Sequence, residues 1–116
     1  MKNFVQPGEI LTLTAPVGDV VSGQAYQIGS LVVVATHDAE AGDPFEAFVG
    51  PGVITHAKAP SEAWAEGEKI YWDDSEGVFT TDDDTAANPL VGVSVAVVAG
   101  GAEDTTGTLR LDGVAR

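Results

Sequence analysis

Residues 69–84 read KIYWDDSEGVFTTDDD. Asp-Ser-Glu-Gly stands between KIYW and VFTT, two runs rich in β-branched and aromatic residues. That is turn chemistry: Asp and Ser accept backbone N–H groups, and Gly takes the positive φ that a tight hairpin requires. The stretch therefore reads as two strands joined at an acidic tip. The same pattern extends outward in both directions. Fourteen glycines and six prolines punctuate the 116 residues, and short runs of Val, Ile, Thr, Phe and Tyr lie between them. This predicts an all-β domain, a small sandwich or barrel-like fold of about nine short strands.

The expected strands cover 9–14, 25–28, 31–36, 45–49, 53–57, 69–72, 78–81, 90–98 and 108–111. Alternation is clean in Thr108-Leu109-Arg110-Leu111-Asp112, where the leucines share one face. At most one short helix is expected, near 61–66, with Ser61 as N-cap, Glu62 in the first turn and Gly67 as the stop. Trp64 would anchor it to the sheet. Residues 1–8 (MKNFVQPG) read as a flexible arm ending in Pro-Gly, and 9–116 as a single β domain.

Two stretches resemble each other. Residues 31–53 and 90–114 both run from Leu-Val through an apolar strand, an Ala/Gly/Asp/Glu turn and a second alternating strand to Gly-Val. Each follows a glycine and a polar-aromatic strand, GQAYQI at 23–28 and GEKIYW at 67–72. The pattern predicts an internal duplication whose second copy carries an insertion, WDDSEGVFTTDDDTAANP at 72–89.

Composition narrows the chemistry. Eighteen acidic residues against five basic ones give a formal net charge of −13. Such a surface repels phosphate backbones and anionic lipid, so neither nucleic acid nor membrane is expected as a partner. The absence of cysteine excludes disulfides, thiol catalysis and cysteine zinc sites. MKNFVQPGEI has no apolar signal-peptide core, so synthesis and retention in the cytoplasm are expected. None of Lys2, Lys58 and Lys69 follows a glycine, so there is no phosphate-binding loop.

The acidic stretch raises three possibilities: a metal site, a catalytic carboxylate cluster and a solvated tip. An EF-hand loop fits poorly, because its first ligand would fall on Trp72. Paired-carboxylate catalysis needs one carboxyl in an apolar pocket, and only Lys69 lies close by in sequence. Asp82, Asp83 and Asp84 repel one another unless solvated, which favours the exposed tip. His37 and His56 each close an expected strand, in VATHDA and VITHAKA. With Asp38 they would be the ligands of any His–carboxylate metal site, but strand closure is the simpler reading. A hydrolase built on His37, His56, Asp73 and Asp74 meets the same objection, and no serine is marked as a nucleophile. A β-sandwich carbohydrate- or calcium-binding module using Tyr71, Trp72 and the Asp73–Asp84 hairpin remains the alternative.

The chain also resembles the small capsid cement, or decoration, proteins of tailed bacteriophages and prophages. The resemblance rests on an ordered set of segments: KNFVQPGEILTLTAP, SGQAYQIGSLVVVA, AWAEGEKIYWDD, LVGVSVA and GTLRLDG. It implies a β-rich structural protein that sits on the outside of a phage head. The partners it implies are the major capsid protein and two further copies of the chain, as a homotrimer, with no catalysis, cofactor or metal. It carries over no individual contact residue. Interface candidates follow from residue type instead: Phe4, Val5 and Gln6 on the arm, and Trp64, Tyr71 and Trp72 as aromatic anchors. Core packing is the competing reading for the aromatics.

Overall fold

The computed structural model describes residues 10–16 and 18–114. The arm at 1–8, with Phe4, Val5 and Gln6, lies outside them. The described chain forms nine strands: β1 (Ile10–Thr14), β2 (Ala25–Ile28), β3 (Leu31–Ala35), β4 (Pro44–Phe48), β5 (Gly52–Ala57), β6 (Lys69–Asp73), β7 (Val78–Thr80), β8 (Leu90–Ser94) and β9 (Thr106–Leu111). They make a four-stranded sheet in the order β1-β4-β3-β2 and a five-stranded sheet in the order β5-β9-β8-β6-β7. All strand pairs are antiparallel.

The two sheets repeat one topology. Matching β1, β2, β3 and β4 to β5, β6, β8 and β9 turns the first strand order into the second, and β7 is added at one edge. Strands β3 (LVVVA) and β8 (LVGVS) have the same order of buried and half-buried positions. Strand β7 falls inside the 72–89 insertion expected from the sequence.

The second sheet curls toward closure. Lys58, just past β5, bridges Phe79 of β7 in parallel, and Ala59 N–H donates to Phe79 O at 2.9 Å. The two sheet edges are thereby brought together around Trp64, Ile70, Trp72, Phe79, Leu109 and Leu111. Each large apolar side chain buried here contributes about 2–3 kcal/mol. Ala25 and Val32 of the first sheet belong to the same core. Strand alternation puts Val33 and Ala35 on the opposite face, in a second core with Phe45, Ala47 and Val49. The first sheet is thus packed on both faces.

The helix allowed over 61–66 does not form. Trp64 is extended: its N–H donates to Val98 O at 3.1 Å, and Val98 N–H donates back to Trp64 O at 2.9 Å. Ser61 takes φ 57°, a left-handed conformation outside the helical range. A two-residue bridge that buries a Trp outweighs one marginal helical turn. The expected strand 90–98 likewise stops at Ser94, whose Oγ donates to Ala96 O at 2.8 Å.

A register step also shapes the core. Pairing moves from Ile70 opposite Gly92 to Tyr71 opposite Leu90, so Val91 has no partner on β6. This bulge lets Val91 point into the core although its neighbours keep their alternation.

Candidate functional surface

The 73–84 hairpin is organised by its own side chains. Asp73 Oδ1 accepts Ser75 Oγ–H at 2.7 Å and Glu76 N–H at 3.2 Å, and Gly77 closes the turn at φ 69°. Trp72 is 1% exposed, and its indole N–H donates to Asp74 Oδ1 at 2.9 Å. These carboxylates thus serve as turn and indole acceptors. Asp82 Oδ1 accepts Asp84 N–H at 2.8 Å, and Asn88 holds the loop by donating from its backbone N–H to Asp83 O and from Nδ2 to Asp82 O. Asp84, Thr85 and Ala86 all take positive φ, at 47°, 55° and 70°. The loop therefore turns sharply and leaves Asp82, Asp83 and Asp84 exposed. The tip borders a hollow of about 230 Å³ that also meets Gln27 of the first sheet.

The aromatic candidates separate. Trp64, 2% exposed, and Trp72 are core side chains of the protomer, whereas Tyr71 is half-buried. The two tryptophans can influence an outer contact only by supporting the surface above them. They also do not offer, with Tyr71, the flat exposed platform that stacking on a sugar requires.

The histidines separate too. His37 is exposed beside the first sheet: its Nε2 accepts Glu46 N–H at 3.2 Å, so Nδ1 carries the proton and donates to Asp38 O at 3.0 Å. His56 is 7% exposed, inside the second sheet. Its Nε2 accepts Ala25 N–H at 3.0 Å, and Nδ1–H donates to Ala57 O at 3.1 Å. Its ring packs edge-on against Trp72 and Phe79. Asp38, the carboxylate next to His37, accepts Ser22 N–H at 2.7 Å. Among the described residues, no group of three or more His, Asp or Glu side chains is placed to hold a metal ion.

Two polar residues are more structural than their sequence context suggests. Glu62 fastens the 60s loop onto β7: Oε1 accepts Trp64 Nε1–H at 2.9 Å and Thr81 N–H at 2.7 Å, and Oε2 accepts Thr80 Oγ1–H at 2.7 Å. Lys58 is 1% exposed. Its ammonium donates to Ala59 O at 2.6 Å and Asp104 O at 3.0 Å, over the Trp64 ring. The alternation Ile54, His56, Lys58 in VITHAKA is the signal that places Lys58 inside. Nothing local in the sequence marks Glu62 as a clamp, because two of its three partners lie 18 and 19 residues away.

Lys58, Glu62, Asp73, Asp74 and both histidines are therefore committed to the protein's own turns and bridges. Comparison with curated proteins and with solved structures finds no match to the chain. A family model described as phage cement protein matches residues 5–114. The chain belongs to the phage cement proteins, a structural family of the phage capsid.

Proposed function

We propose that this protein binds the outside of a phage head, contacts the major capsid protein and stabilises the expanded capsid as a homotrimer. The observation that carries the reading is the family match across 5–114, nearly the whole chain. The physics supports it. A ligand that binds only the expanded shell stabilises that state by mass action, and needs no catalysis or cofactor. It does need a surface that keeps its shape, and two cores closed by cross-strand pairing supply one.

The arm at 1–8 is the proposed capsid strap. Phe4 and Val5 would fill pockets while main-chain groups around Gln6 add to a sheet edge of the capsid protein. Among the described residues, Tyr71 is the aromatic candidate with surface left to offer. Synthesis takes place in the host cytoplasm, and the protein's working place is the capsid surface.

Co-sedimentation with expanded heads tests the reading. The purified protein should pellet with expanded heads and stay in the supernatant with unexpanded ones. Failure to pellet, or equal binding to both shells, would sink it.

A further inference from the structure

The chain has five cationic residues: Lys2, Lys58, Lys69, Arg110 and Arg116. Lys2 and Arg116 lie outside the described residues, and Lys58 is buried. Lys69 and Arg110 are thus the exposed cations of the described chain. The cross-strand register sets them in a single row. Val53 stands opposite Arg110, Arg110 opposite Val93, and Val93 opposite Lys69. Two strand spacings separate the cations, about 10 Å. All four side chains share the outer face, because the alternate residues Ile54, Leu109 and Ile70 turn into the core.

This row has an unusual environment for the molecule. Val53 is 61% exposed, and the neighbouring rung holds Thr55 and Thr108, whose hydroxyls bond each other at 3.0 Å. No carboxylate stands in either rung, in a chain with 18 of them. On the other side of the row the same face carries Asp112, two residues along the chain from Arg110 and engaged with Val114 N–H, and, farther off, Asp73, engaged with Ser75 and Glu76. Neither Lys69 nor Arg110 makes an ion pair among the described residues. The complement is found elsewhere on the same chain. The 82–88 loop is held by two hydrogen bonds from Asn88 and presents Asp83 and Asp84, whose carboxylates accept no hydrogen bond from the described residues.

We propose that the row Val53–Arg110–Val93–Lys69 is the docking face for a second copy of this chain, which lays its Asp82–Asp84 loop across the two cations. Copies carrying −13 each repel unless a basic patch on one meets an acidic patch on the next. The row and the loop occupy different places on the molecule, so the proposed contact is a head-to-tail one, of the kind that closes into a ring when the rotation between copies closes. The inference rests on the trimer reading above and names its subunit contact. Val53 and Val93 supply the apolar area, and the cations fix the register.

Charge exchange tests it, with light scattering as the readout across a dilution series. Lys69→Glu with Arg110→Glu should dissociate the assembly, raising its midpoint concentration about tenfold or more. Asp83→Lys with Asp84→Lys should do the same. Combining all four changes restores opposite signs across the contact and should restore assembly. As a control for net charge, Thr12→Glu with Thr14→Glu adds two negative charges to the exposed side of β1. It should leave assembly intact, whereas Lys69→Gln with Arg110→Gln, equal in net charge, should weaken it. Thermal melts check that each variant folds, and any that does not is replaced by its Gln or Asn counterpart. The proposal is overturned by a wild-type monomer, by intact assembly of the Lys69→Glu/Arg110→Glu variant, or by failure of the combined variant to recover. Wild-type pelleting with expanded heads is scored separately. Head binding without these charge effects defeats the contact and leaves the capsid reading standing, and loss of head binding does the reverse.

Discussion

His56 Nε2 accepts the backbone N–H of Ala25 at 3.0 Å, so a side chain of the second sheet completes the main-chain hydrogen bonding of an edge strand in the first. The same ring is wedged between Trp72 and Phe79. One residue thereby joins the two sheets through a directional bond, while its ring packs within the second sheet.

His56→Ala is expected to destabilise the fold by about 3–4 kcal/mol. Leaving the Ala25 N–H unpaired costs about 1–3 kcal/mol, and the vacated space beside Trp72 and Phe79 adds a cavity penalty. Urea titration gives the check. A loss under about 1 kcal/mol would mean that the bond between the sheets contributes nothing.

Glycines divide sharply by surroundings. A Cβ at Gly92 would collide with the Arg110 carbonyl on the neighbouring strand, whereas one at Gly67 meets nothing within 4 Å. Gly92→Ala should therefore cost about 3 kcal/mol or more, because backbone must move. Gly67, at φ 79°, should cost only about 1–2 kcal/mol on replacement by Ala, the strain of a left-handed residue. Thermal melts of the two variants should rank in that order, and the reverse order would refute the packing of β8 on β9.

Glu62→Gln removes a carboxylate that accepts three hydrogen bonds and puts an amide donor against donors. We expect a loss of about 2–3 kcal/mol by chemical denaturation. Indole fluorescence should change with it, since Trp64 Nε1–H loses its acceptor. Unchanged stability would show that the 60s loop is held by the Trp64–Val98 bridge alone.

Deleting 1–8 removes no residue of a described strand, since β1 begins at Ile10. The truncated protein should keep its melting temperature within a few degrees and lose most of its binding to expanded heads. Full head binding by the truncated chain would remove the arm from the capsid contact.

Much of the fold was legible because its signals are local. The Asp-Ser-Glu-Gly turn, the alternation in Thr106–Leu111 and the Leu-Val starts of β3 and β8 each depend on residues a few positions apart. The duplication could have been read further. PGEILTLTAP at 7–16 and PGVITHAKAP at 51–60 share their Pro-Gly and Ala-Pro ends, and they contain β1 and β5. The segment 61–66 misled because Ser-Glu-Ala-Trp has helical caps and spacing, while its preference for the extended form comes from Val98, 34 residues after Trp64.

By itself, the amino-acid sequence determined the all-β class, the turn positions, the repeated unit and the exposure of three adjacent aspartates, since each follows from backbone preference or like-charge repulsion at short range. Only the tertiary structure decided which strands pair, in which register, and which distant groups meet. It buried Trp64, Trp72, His56 and Lys58, turned Glu62 into a clamp, and aligned Lys69 with Arg110 across three strands. The physical reason is that a cross-strand neighbour is set by register, and register depends on how every other strand packs its apolar face.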